Sequence, residues 1–301
     1  MLYDSIVKTL NYFSLFDFPL TAEELFSNLW QAPEISYENF LGELYSLKNQ
    51  GKIVEKFSYY FLPGDEAIVE KRRESVPLVE AKLRIAVKAA KLIRSVPFVK
   101  AIFVCNSVAA EAVDKNSDID FFIITSAKRA WIVRFFTNLI LFTFGLRRHG
   151  DQVADRVCLS FYVDSEHLDL QPLLIADDIY FTYWLKQLLP LYDPENFHQK
   201  LLDSNVWHKK FIKIESSIPK IADGRIGKVW KNIWELFWRG RYGDLIERQF
   251  EKVQMDRIKI SGQDKVRPAA SAVVTTAGVL KFHECDSRQE IRDKWLEKLK
   301  I

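Results

Sequence analysis

Residues 103–124, FVCNSVAAEAVDKNSDIDFFII, decide how this chain is read. Val99–Cys105 (VKAIFVC) is a β-rich run and Phe121–Ile124 is a second; both suit buried strands. Between them the sequence reads as a tight turn at Asn106-Ser107, a short helix and a polar loop. Asp118 and Asp120 are two apart at the head of the second run, so they project from one sheet face. Carboxylates held side by side repel each other, and a cation relieves that repulsion. Hard oxygen donors at this spacing suit Mg²⁺, which bridges carboxylates and phosphates. Asn106-Ser107 stands where a strand turns into a helix, and a helix N-terminus attracts phosphate. The sequence thus puts a phosphate site and a metal site on one short unit.

The segment resembles the signature of the DNA polymerase β-like nucleotidyltransferase superfamily: Gly-Ser or Gly-Gly at a strand-to-helix turn, a spacer, then Asp-x-Asp. Ser107 matches the second turn position, and Ser117-Asp118-Ile119-Asp120 matches the carboxylate strand. Asn106 stands where the pattern has Gly. Asn is the best non-Gly residue at φ > 0, but a side chain there obstructs a triphosphate that must approach the backbone closely. The resemblance implies an α+β fold with a nucleotidyltransferase-type mixed sheet and helices over residues 66–176. It implies Mg²⁺ held by Asp118 and Asp120, and an NTP, ATP first, with its phosphates at Asn106 and Ser107. The implied reaction moves a nucleoside monophosphate to a hydroxyl acceptor, and pyrophosphate leaves.

That chemistry also asks for a third carboxylate on a neighbouring strand, to help activate the hydroxyl. The next strand run, Val157–Val163 (VCLSFYV), offers Cys158, Ser160 and Tyr162 on one face and no acid. Asp155 precedes it and Asp164 ends it; Asp164 is the favoured catalytic acid, and Ser160 stands in if the acid is missing. The alternative function is a non-catalytic protein that binds nucleotide and docks a partner or DNA through its N-terminal module.

With 301 residues and 48% apolar content the chain can hold two or three units and a sizeable core. A net charge of +3 calls for neither nucleic acid nor an anionic membrane. Cys105, Cys158 and Cys285 are odd in number and unspaced for metal, as expected of small buried hydrophobes in a reducing compartment. The N-terminus lacks the features of a signal peptide, so a cytoplasmic location is expected. Ala130–Leu146 (AWIVRFFTNLILFTFGL) is strongly apolar, but as a helix it falls short of a ~30 Å hydrocarbon core. A buried crossover helix, capped by Ser126, is expected there rather than membrane insertion.

Residues 1–65 form a distinct unit by their caps and stops. Helices are expected over Asp4–Phe16, from a capping box at Thr21 through Trp30, and over Tyr37–Gln50 behind Ser36. Two short strands follow, with a turn near Ser58. Three helices and a hairpin resemble a winged helix. Its third helix carries Glu38, Glu43 and Lys48, so DNA binding is disfavoured and Tyr59 and Tyr60 become possible protein anchors. Helices over Asp65–Glu74 and Pro77–Arg94 are expected to break at Val76-Pro77. Residues 177–301 read as mainly helical: one helix interrupted at Pro190, another over Asn196–Phe211, and a third with Trp230, Trp234 and Trp238 on one face. A terminal hairpin turning at Thr276–Gly278 and a helix boxed by Asp286 close the chain; His283 reads as a polar strand position.

Overall fold

The computed structural model describes residues 2–64, 66–222, 225–262, 273–276, 278–282 and 286–300, so His283 and Cys285 lie outside the described residues. Three helices, α1 (Leu2–Ser14), α2 (Ala22–Ser27) and α3 (Tyr37–Asn49), precede a hairpin of β1 (Val54–Lys56) and β2 (Tyr59–Phe61). Thr21 forms the reciprocal box with Glu24, and Ser36 accepts the Asn39 N–H, as the sequence predicts. α2 stops at Ser27, earlier than expected, because Asn28 caps it. Phe57 and Ser58 both have positive φ, the geometry of a tight hairpin. Tyr59 and Tyr60 are half-buried rather than exposed, and Lys48 is engaged by Glu55 at 2.7 Å.

α4 (Ala67–Ile93) runs unbroken through Pro77, against the expected break. Arg73, Val76 and Pro77 face solvent, where water can satisfy the carbonyl that Pro77 leaves without a donor. On the opposite side Arg72, Ser75, Val79 and Lys82 are buried.

The central strands follow as β3 (Val99–Cys105), the single-turn α5 (Asn106–Ala109), β4 (Ile119–Thr125), α6 (Ala130–Thr143) and β5 (Val157–Asp164). Then come α7 (Ile179–Gln187), β6 (Leu189–Tyr192), α8 (Phe197–Ser204), α9 (Arg225–Phe237), α10 (Gly240–Gly262), β7 (Val273–Thr276), β8 (Val279–Phe282) and α11 (Arg288–Lys298). Six strands make one mixed sheet in the order β6-β3-β4-β5-β8-β7, with only β4 and β5 parallel. The fold is α+β.

Residues 189–192, expected to continue a helix, instead form the edge strand β6. Pro190 disfavours helix at Leu189, and an edge position tolerates its missing donor. The C-terminal hairpin is present as expected, but it extends the central sheet by pairing β8 with β5. Residues 196–211 divide into α8 and a short 3₁₀ turn over Val206–Lys210. Asp286 takes the backbone N–H and guanidinium of Arg288, while the N-cap Ser287 makes no side-chain cap bond, so the expected box is replaced by an ion pair.

β3, β4 and β5 are buried on both faces. One face packs Ile102, Val104, Phe121 and Tyr162 against α4 and α6; the other packs Phe103, Phe122 and Phe161 against Trp184 and Leu185 of α7. α6 is the expected crossover helix, buried over its first turn and on one face beyond it, while Leu139 and Phe142 are exposed. Its cap is not Ser126: Glu247 of α10 accepts the N–H groups of Trp131 and Ile132 at 2.7 and 3.0 Å. Among the described residues no helix is long and apolar enough to cross a membrane. In the tryptophan stripe Trp238 packs on Phe136 while Trp230 is exposed, so only one end of it is a core seam. The N-terminal helices share a third cluster with Tyr183 of α7 and Trp295 of α11.

Candidate functional site

The turn out of β3 begins at Asn106 with φ +55°, the conformation for which Asn best replaces Gly. Its side chain is used as well: Oδ1 accepts the indole N–H of Trp184 at 3.1 Å, and its amide bonds the Asp120 carboxylate. Ser107 sits in the following turn, half-buried. α5 has only four residues, so its macrodipole is slight; any phosphate contact here would come from single N–H groups and the Ser107 hydroxyl.

Asp118 and Asp120 flank the start of β4 on one face. Asp120 pairs with Cys105 on one side and with Cys158 on the other. Carboxylate oxygens of both aspartates and the Cys158 Sγ lie within 4.8 Å of one another. Burial, and then the charge of Asp118, push the Asp120 carboxyl up to about 6; burial, and then Asp120, push the Cys158 thiol up to about 12. The pair is therefore short of positive charge. Part of it comes from Arg148, whose Nη1 donates to Asp118 Oδ2 at 2.7 Å.

The third strand corrects two expectations. Asp164 does not join the pair: it is aligned with Thr125 while Cys158 is aligned with Asp120, about 20 Å apart at ~3.3 Å per residue. Asp164 is buried instead in a turn, accepting the N–H groups of Lys128 and Glu166 and bonding His167 Nδ1 at 2.7 Å. Asp155 is drawn away to Lys82 at 2.7 Å. The even alternation read from VCLSFYV also fails. A register shift sets Phe161 opposite Phe122 and turns Tyr162 to the far face. Cys158, read as a structural thiol, occupies the place beside Asp120.

Lys82, Arg148 and Trp184 complete the surroundings. Lys82 is 1% exposed, and its Nζ donates to the Ser117 carbonyl and to Asp155, both at 2.7 Å. It anchors the residue next to Asp118. Its position on the buried stripe Val79, Lys82, Ala86, Ala89 and Ile93 is a signal that the sequence carries. Arg148 and Trp184 approach from elements far along the chain, and no local pattern marks them.

Two cavities are lined by partners of the pair, one by Asn106 and the other by Arg148, though by neither aspartate itself. On the Asn106 side, about 130 Å³ is lined by Asn106, Tyr180, Trp184, Lys281, Asp286 and Arg288. Against the upward push of burial, Arg288 and Lys281 hold the Asp286 carboxyl well below the usual carboxylate range. This space is below the ~300 Å³ at which small-molecule pockets begin, so it admits part of a phosphate chain and no whole nucleotide. On the β5 side, about 570 Å³ opens next to Arg148. A third cleft, about 1120 Å³ between residues 26–35 and 208–217, contains neither the pair nor any of its partners. No family model, curated protein or solved structure matches the chain.

Proposed function

We propose that the chain is a nucleotidyltransferase of the polymerase β-like kind, moving a nucleoside monophosphate from an NTP, ATP first, to a hydroxyl acceptor. The observation that supports this most is the Asp118–Asp120 pair beside a strand-to-helix turn whose first residue holds φ +55°. The donors fit a divalent cation. Two carboxylates supply hard oxygens suited to Mg²⁺, and Cys158 adds a soft donor that suits a later transition metal better. A cation bound there would neutralise charge on the triphosphate.

The remaining roles belong to the side chains. Asp118 and Asp120 would hold the ion, while Asn106 fixes Asp120 and Lys82 fixes the loop that carries Asp118. The acceptor oxygen bonds the α-phosphorus, the bond from that phosphorus to the bridging oxygen breaks, and pyrophosphate takes the electron pair. The acceptor proton passes to water, because no third carboxylate stands at the pair among the described residues. Positioning and charge stabilisation carry such a reaction.

A second reading, a non-catalytic nucleotide binder that docks a partner through its N-terminal helices, is favoured by Cys158 in the third position and by Arg148 on Asp118. Mg²⁺-dependent ATP binding and pyrophosphate release, measured in wild type, Asp118→Asn and Asp120→Asn, separate the two. Transfer requires release that falls at least ~100-fold in both variants. Binding without release across a broad acceptor panel selects the second reading, and no Mg²⁺-linked binding removes both.

A further inference from the structure

We infer that the 570 Å³ pocket beside Arg148 takes a phosphomonoester with an apolar body, and that this ester is the acceptor. The acceptor role rests on the nucleotidyl-transfer reading; the binding does not. Arg134, Arg147, Arg148 and Arg257, with His149, Asn138 and Gln254, supply the polar walls, and among the described residues no carboxylate lines the pocket. Two of these guanidiniums have neutral partners: Arg134 bonds Gln254 Oε1 at 2.7 Å, and Arg147 bonds Asn138 Oδ1 and the Arg148 carbonyl. Arg134 Nε is also buried with no acceptor. Of the four, Arg148 alone has a carboxylate partner among the described residues, Asp118; like charges gathered with so little counter-charge repel each other, and an oxyanion relieves that cost. Arginine forks match phosphate in particular.

The rest of the wall is apolar. Leu139 is 48% exposed and Phe142 61%, and both line this pocket together with Phe135. Exposed apolar residues beside four arginines describe a ligand with a charged head and a carbon body.

Place in the sheet argues for the acceptor. The Asn106 cavity lies on the α7 face of the sheet, while the arginine pocket is lined by α6 and α10 of the other face, and Arg148 alone reaches from it to Asp118, so the pair stands between the two. In-line displacement needs the incoming oxygen and the leaving pyrophosphate on opposite sides of the phosphorus. With triphosphate at the turn, the hydroxyl enters from the arginine pocket. Arg148 joins the two sites, because the guanidinium that a phosphate would draw into the pocket is the one now bonded to Asp118. Occupancy of the pocket therefore frees Asp118 for the cation, and linkage makes the effect reciprocal.

Hexyl phosphate is the probe, titrated calorimetrically into the full chain, with Mn²⁺ affinity followed by electron paramagnetic resonance. Saturable one-to-one binding is expected, weakened ~10-fold or more in Arg257→Gln, whose exposed side chain leaves folding intact. Mn²⁺ affinity is expected to rise ~5-fold or more with hexyl phosphate in wild type and to stay flat in Arg148→Gln. No saturable binding, equal binding of inorganic phosphate, or an unchanged Arg257→Gln variant overturns the inference. So does sedimentation with phosphatidic acid vesicles without binding of the soluble ester, which would make this face a lipid surface. Hexyl phosphate binding without pyrophosphate release, also with hydroxyl-bearing analogues, keeps the pocket and removes nucleotidyl transfer. Release without hexyl phosphate binding does the reverse.

Discussion

Cys158 stands directly opposite Asp120 across the parallel strands β4 and β5, at the position where a third carboxylate would complete the pair. Cys158→Asp therefore tests how close the site is to a full metal centre. Divalent-ion affinity is expected to rise ~10-fold or more, because a hard anionic donor replaces a protonated thiol. Without metal the melting temperature should fall by several degrees, since three clustered carboxylates repel. Mn²⁺ titration and thermal melts check both, and an unchanged affinity would show that this position does not face the ion.

Asp120 gives a pH signature. Its carboxyl titrates at about 6 in the folded chain against 3.8 for a free aspartate, with burial as the first cause and Asp118 as the second. The native state then holds this proton more tightly than the unfolded state, and stability is lost as pH rises from about 4 to 6. The loss approaches ~3 kcal/mol in the absence of metal. Asp120→Asn should be the more stable protein at pH 7.5 and lose that advantage near pH 4. Urea melts at the two pH values measure the difference; equal stability at pH 7.5 would deny that the charge is costly.

Much of this arrangement is legible in the residues. The runs around VKAIFVC, DFFII and VCLSFYV become three adjacent strands because β-branched and aromatic residues fill both faces of a buried sheet. The turn at Asn106 is legible for the same local reason. What local pattern leaves unsaid is tertiary. The shift that removes Tyr162 from the Cys158 face depends on pairing with β4, and the fate of Pro190 depends on an open sheet edge. Asp164 reads as the acid because it ends the neighbouring strand run, yet the length of that strand carries it to the other end of the sheet. Arg148 reaches Asp118 across thirty residues, and Glu247 caps α6 from α10; neither leaves a periodic trace.

Lys82 is the buried strut behind Asp118. In Lys82→Met the stem is replaced while the bonds to the Ser117 carbonyl and Asp155 are lost. Ser117 keeps the Asp155 N–H at 3.3 Å, and the Asp155 side chain is half exposed, so the cost should stay near 1–3 kcal/mol. Divalent-ion affinity should fall further than this loss explains, because the loop before Asp118 loses its anchor. Chemical denaturation and Mn²⁺ titration on one sample separate the two effects, and unchanged affinity in a destabilised variant would make Lys82 purely structural.

Gly278 turns the C-terminal hairpin at φ +87°, and its carbonyl accepts the Asp164 N–H at 2.8 Å. A methyl group there would stand 2.1 Å from His167 Nδ1, the atom that bonds Asp164. Gly278→Ala thus meets two penalties, a backbone conformation that disfavours side chains and a collision with a ring held by a buried carboxylate. Together these should cost at least ~2 kcal/mol. The collision disappears if the ring is removed, so Gly278→Ala should cost less in a His167→Ala background, leaving only the conformational part of ~1 kcal/mol. Equal costs with and without the ring would show that the hairpin moves away as a body, and that Asp164 is not tied to it through His167.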